Sequence, residues 1–215
     1  MELVRAYKPS CGYGRILDVG CGDGLLFDKL SQLGEVEGVE SDGDIVRREN
    51  PYRERIHLVP FGATFEPRQR YGLILMLDVL EHLPDPDSAL AHANHLLSDR
   101  GLLIVTVPAF QVLWTNHDAI NHHLCRYRRS KLHQIVVDAG FDALEERYWF
   151  QWLFPVKLAL RLLESATHAG TSLPSVPPVF WNQALYALCR LEAATISKLP
   201  ISFGTSIAMV ARKLL

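Results

Sequence analysis

The sequence predicts an α/β fold: a doubly wound, mostly parallel seven-stranded sheet in a single domain over residues 1–215, with a helical insertion at 152–204 before the last strand. Three observations predict it. An apolar strand runs into a glycine-rich turn at 16–24 and then into a helical pattern. The segments 71–77 and 102–107 are near-continuous apolar runs, as expected of parallel strands covered on both faces. Strand and helix patterns alternate through the first two thirds of the chain, which is the order of a sheet wound from both sides.

Taken in order, strands are expected near 15–19, 35–40, 56–60, 71–77, 101–107 and 143–149, and helices near 24–33, 42–48, 85–97 and 129–139. Beyond the sixth strand, 152–166 and 179–199 read as unusually apolar helices, separated by the proline-rich loop Thr171–Pro178. A last strand over 206–212 follows Phe203-Gly204. Ligands of such sheets bind outside the carboxyl ends of the strands. Gly20, Glu40, Asp78 and Pro108 all follow strands.

Composition narrows the function classes. Hydrophobic residues make up 48% and charged residues 21%, which is globular, and a net charge of −2 argues against a nucleic-acid-binding surface. The four cysteines (Cys11, Cys21, Cys125, Cys189) form no C-x-x-C pair, so the expectation is free thiols in a reducing cytoplasm and no zinc site. The first residues show no apolar signal core. No run approaches the ~18 apolar residues of a membrane span.

The glycine turn is the strongest functional signal. Gly20, Gly22 and Gly24 lack the β-carbon that would hold a ligand away from the backbone, and a helix follows with its unpaired N–H groups. Glu40 ends the next apolar run and is placed to accept hydrogen bonds from two ribose hydroxyls. Dinucleotide sites show G-x-G-x-x-G. Here Asp18-x-Gly20-x-Gly22-x-Gly24 resembles motif I of the class I S-adenosylmethionine-dependent methyltransferases, and Val36-Glu37-Gly38-Val39-Glu40 resembles their second motif. The resemblance implies S-adenosyl-L-methionine as cofactor and S-adenosyl-L-homocysteine as product. It also implies a binding set of Asp18, Gly20, Cys21, Gly22, Gly24, Glu40, Ser41, Phe61, Leu77, Asp78 and Val79. No aspartate stands after the third strand, where that family commonly has an adenine-contacting acid, so packing by Phe61 is expected instead. The plain alternative is a tight strand-to-helix turn with no ligand.

Residues 71–86 resemble the family's fourth motif, with Asp78, Glu81 and His82 after the strand. His82 is a candidate general base because the unperturbed pKa of histidine lies near neutrality, and His123 is a second candidate. The alternative is that Glu81 and His82 only satisfy the turn. Residues 108–132 are similar to a bacterial methyltransferase subgroup with a P-A-(Y/F)…L-W…D…H-x-R-R-Y…L signature, except that Cys125 stands at the first arginine. Trp114, His117, Arg126 and Tyr127 are the candidate acceptor wall, Arg126 suiting a phosphate or carboxylate through its planar fork. The competing reading packs Trp114 and Tyr127 in the core and pairs Arg126 with Asp118. Glu81, His82 and either His117 or His123 resemble the Mg²⁺-holding set of the small-RNA 2′-O-methyltransferases, but Asp78 stands where those have a glutamate. No metal is expected.

The resulting expectation is in-line methyl transfer, governed by positioning, to a small-molecule, glycan or lipid-linked acceptor. A non-catalytic S-adenosylmethionine binder or complex partner is the alternative. The apolar insert reads as a lid or as a surface for a lipid-linked acceptor and shallow membrane contact through 152–199. No nucleic-acid partner is expected, and the sequence leaves the acceptor and the oligomeric state open.

Overall fold

The computed structural model describes residues 1–167, 178–195 and 201–215. Seven strands form one sheet: β1 (Arg15–Val19), β2 (Glu35–Glu40), β3 (Ile56–Leu58), β4 (Tyr71–Leu77), β5 (Leu97–Pro108), β6 (Phe141–Trp149) and β7 (Ser206–Lys213). Their order is β3-β2-β1-β4-β5-β7-β6. All pairs are parallel except those of β7, which lies antiparallel to both β5 and β6. The order turns outward from β1 in one direction and from β4 in the other, so the carboxyl ends of β1 and β4 flank a crevice.

Helices cover both faces. α1 (Glu2–Ala6) and α2 (Phe27–Leu30) bury Leu3, Val4, Phe27 and Leu30 against Ile16, Leu73 and Ile104. α3 (Pro86–Leu96) and α5 (Arg129–Asp138) bury Leu90, Ala93, Leu132 and Val136 on the opposite face, against Leu17, Ile74 and Val105. The continuous apolar runs of β4 and β5 have this cause, because both sides of each strand meet a helix layer. α3 starts where its sequence says, with Pro86 in its first turn and the Asp85 carboxylate accepting the Ser88 N–H at 3.0 Å.

Two expected helices differ. Over 24–33 only the single turn of α2 forms, preceded by tight turns that close Gly24 N–H onto the Cys21 carbonyl and Phe27 N–H onto the Gly24 carbonyl. The residues 42–48 form no helix. Asp42 accepts the Asp44 N–H at 2.9 Å in a side-chain turn, and Asp23 accepts the Arg47 N–H at 3.1 Å. Local aspartate bonds of this kind compete with helix formation. A short helix, α4 (Asn116–Ile120), appears in the segment after β5. The insert supplies α6 (Leu153–Thr167) and α7 (Val179–Ala194), while most of the expected proline loop, and the end of the second expected helix at 196–199, lie outside the described residues.

Candidate functional site

The glycine turn and Glu40 form one hydrogen-bonded unit at the carboxyl ends of β1 and β2. Gly20, Gly22 and Gly24 have φ of +68°, +53° and +72°. A β-carbon on Gly20 would meet Val79 Cγ2 at 2.9 Å, so this turn and the residue after β4 approach as only glycine permits. Gly20 N–H donates to the Val39 carbonyl at 2.8 Å. Glu40 is buried; its Oε2 accepts the Gly22 N–H at 2.9 Å and its Oε1 accepts the Asp42 N–H at 3.0 Å. A carboxylate oxygen accepts two bonds, so Oε2 keeps capacity for a hydroxyl donor, while Oε1 also receives the Ser41 hydroxyl at 3.5 Å.

The remaining residues of the implied cofactor set are arranged around this unit. Asp18 is buried in β1, and burial pushes its carboxyl up to about 7. Cys21 fills the space left by the absent side chain of Gly38, and burial holds its thiol at about 12, an inert packing group. Ser41 is exposed, with its hydroxyl 3.5 Å from Glu40 Oε1. Phe61 is half-buried, edge-on to His92 with ring centroids 5.1 Å apart. Leu77 ends β4, and Asp78 follows at φ +54°, its N–H donating to the Thr106 carbonyl at 2.9 Å. A non-glycine residue held at positive φ beyond a strand end is a strained position of the kind found at functional sites. Water stripped away by the surrounding walls raises the Asp78 carboxyl, and the Thr106 hydroxyl opposes that shift.

Across the crevice, Asp118 organises the segment that leaves β5. It has no exposed surface and completes a capping box with Thr115 at the start of α4. Its two oxygens accept Arg126 Nε and Nη2, each at 2.9 Å, and Oδ1 also accepts from His123 Nδ1 at 2.9 Å. These donors hold its carboxyl at about 2 against the opposing effect of burial. The expected role of Arg126 therefore changes: both arms of its fork grip Asp118, and Nη1 donates to the Ala109 carbonyl at 3.2 Å. Tyr127 is core, buried and donating its hydroxyl to the Leu80 carbonyl at 3.2 Å. Trp114 is half-buried, and His117 is exposed and paired with Asn121 at 2.9 Å.

His82 and His123 do come together, their rings 4.8 Å apart and nearly perpendicular. Burial and the neighbouring His123 lower the His82 pKa. Beneath them Glu81 is fully buried, with neither carboxylate oxygen hydrogen-bonded, and burial raises it to about 8. Glu81, His82 and His123 offer ligand atoms all within 4.8 Å of one another, the one such group among the described residues. Asp118 makes the Arg126 pair that the competing reading of the sequence gave it. The signal was present in Thr115-x-x-Asp118, a capping-box pattern that fixes the side chain inward.

Comparison with known proteins decides the family. A family model described as a methyltransferase domain matches residues 5–146. The chain belongs to that methyltransferase family. A ubiquinone biosynthesis O-methyltransferase of Bradyrhizobium diazoefficiens is 33% identical over 98 residues, covering 43% of this chain and 39% of the relative. The chain thus spans about two fifths of the curated relatives it matches. Among solved structures, a SAM-dependent methyltransferase from Archaeoglobus fulgidus superposes with a TM-score of 0.63 at 16% identity, covering 99% of this chain and 90% of that one. Phosphoethanolamine N-methyltransferase 2 of Haemonchus contortus, in complex with S-adenosyl-L-methionine, gives 0.62 at 15% identity, covering 100% and 52%. This methyltransferase uses S-adenosyl-L-methionine, and its side-chain-free turn and buried Glu40 fit that cofactor. The expected class stands as an enzyme, in place of the non-catalytic binder.

Proposed function

We propose that this methyltransferase methylates a hydroxyl of a small-molecule, glycan or lipid-linked acceptor that lies over the carboxyl ends of β4 and β5. The observation that carries the reading is the His82–His123 pair beyond β4, with His123 held by Asp118. S-adenosyl-L-methionine supplies the activated methyl group when bound. Glu40 and the Gly20–Gly24 turn hold the ribose and the rest of the cofactor, Asp78 lends negative charge beside them, and Trp114 and His117 border the acceptor. Asp118 occupies Nδ1 of His123, which leaves Nε2 to take the hydroxyl proton. The name of the Bradyrhizobium relative, an O-methyltransferase, supports a hydroxyl acceptor. Exposed Val156, Leu160 and Leu162 on α6 and Leu188 and Leu191 on α7 support an apolar acceptor or shallow membrane contact. Among the described residues no helix is long and apolar enough to cross a membrane. A net charge of −2 supports acceptors other than nucleic acid.

Labelled methyl transfer to a panel of phenols, catechols and lipid-linked sugars tests this. His123→Ala is expected to lower turnover about 100-fold or more while leaving S-adenosylhomocysteine affinity unchanged. Equal turnover in the variant would remove His123 from the reaction.

A second reading is favoured by the orphaned Glu81 carboxylate, which with His82 and His123 makes a one-carboxylate, two-imidazole set suited to a divalent cation. Equilibrium dialysis with Mg²⁺, Mn²⁺ and Zn²⁺ would show one ion per chain in wild type and none in Glu81→Gln. An empty wild type would exclude it.

A further inference from the structure

Among the described residues, Arg126 and Lys157 differ in one respect: Arg126 has a carboxylate partner in contact and Lys157 has none. Arg126 spends its charge on Asp118, as described. Lys157 lies on α6, three residues after Phe154 and therefore on the same helical face. Phe154 meets Phe110 edge-on, with centroids 5.5 Å apart, and Phe110 sits at φ +57° immediately after β5. That contact docks α6 on the 3-10 turn Gln111–Leu113, at the wall expected to face the acceptor. Lys157 is half-buried, whereas its neighbours Val156 and Leu160 are exposed. Among the described residues it makes no hydrogen bond and no ion pair within 4.0 Å.

The surrounding charges leave it available. Burial and Arg126 lower the Lys157 pKa, and Asp118 and Asp78 oppose that shift. Asp118 is already neutralised by Arg126, and Asp78 is turned toward the Thr106 hydroxyl at 3.3 Å. A half-buried ammonium without an acceptor has lost part of its hydration, and nothing among the described residues returns it. An anionic oxygen on a bound molecule would restore it.

We propose that Lys157 is the specificity residue for the acceptor, binding a carboxylate or phosphate group on it, so that this methyltransferase selects acidic acceptors. Arg126 is committed to Asp118, and the proposal rests on the reading that the acceptor lies on the His123 side. The two fail separately. Turnover in His123→Ala tests that reading, whereas anion binding reads Lys157 with no methyl group transferred.

The test is calorimetric titration of the protein, with and without S-adenosylhomocysteine, by inorganic phosphate and by benzoate. Wild type is expected to bind at least one of them, and the tighter one names the group. Lys157→Met should weaken that binding about tenfold or more, as for loss of a charged hydrogen bond, and Lys157→Arg should retain it. S-adenosylhomocysteine affinity is read on the same samples and should not change. Absence of binding by both anions, or equal binding by wild type and Lys157→Met, overturns the proposal.

Discussion

Glu81 has a carboxyl group with neither exposure nor partner, and this shapes how stability responds to pH. In the unfolded chain it loses its proton near 4.5, and in the folded chain near 8. Between those values the folded state binds more protons, so stability falls as pH rises, by up to about 1.4 kcal/mol per pH unit. Buried Asp18, raised to about 7, has the same sign; Asp118, held at about 2, has the opposite one, and its contribution is lost only below the ordinary carboxylate range. Denaturant unfolding of the metal-free protein from pH 5 to 8 should show the decline, and Glu81→Gln should flatten it. An unaltered slope in that variant would contradict the burial argument. Arg126→Met should destabilise by about 3–5 kcal/mol, because it strands the Asp118 charge in the interior; a loss below 1 kcal/mol would mean that the pair is not buried in solution. At this scale the glycine turn and Glu40 were legible in the sequence, because spacing alone sets which backbone can approach a ligand. The pairing of Arg126 with Asp118 was legible only as one of two competing readings. An arginine and an aspartate eight residues apart suit a surface site and a buried pair equally, and burial decides between them.

At the scale of elements, strands were legible and short helices were not. The apolar runs of β4 and β5 leave no other placement, since each must be covered on both faces. The helices expected over 24–33 and 42–48 gave way to side-chain bonds among Asp23, Asp42, Arg47 and Asn50, whose donors and acceptors compete with the helical backbone. The segment after Glu40 is thereby tied back to the glycine turn through Asp23. Gly20→Ala is a direct probe. Its φ of +68° and the 2.9 Å approach to Val79 should make the alanine cost about 1–3 kcal/mol of stability and weaken S-adenosylhomocysteine binding as well. Paired melting and titration would check both effects, and a neutral substitution would mean that the turn is looser than described.

The whole molecule places its chemistry where strand order reverses. β1 and β4 are neighbours whose onward connections run in opposite directions, and the glycine turn, Asp78 and the histidine pair all follow from that. The alternation of strand and helix patterns foretold this plan, whereas the meaning of the insert was not foretold, because an apolar helical face reads the same whether it covers a site or meets lipid. If α6 and α7 contact membranes, the protein should float with anionic vesicles at low salt and be released as salt screens the attraction; sedimentation at low salt would favour a lid. The central claim is that the glycine turn and Glu40 cradle the cofactor, and calorimetric titration with S-adenosylhomocysteine tests it most directly. Wild type should bind one equivalent, with Glu40→Ala weaker by about 1–3 kcal/mol. Failure of wild type to bind, or identical affinity in the variant, would contradict it.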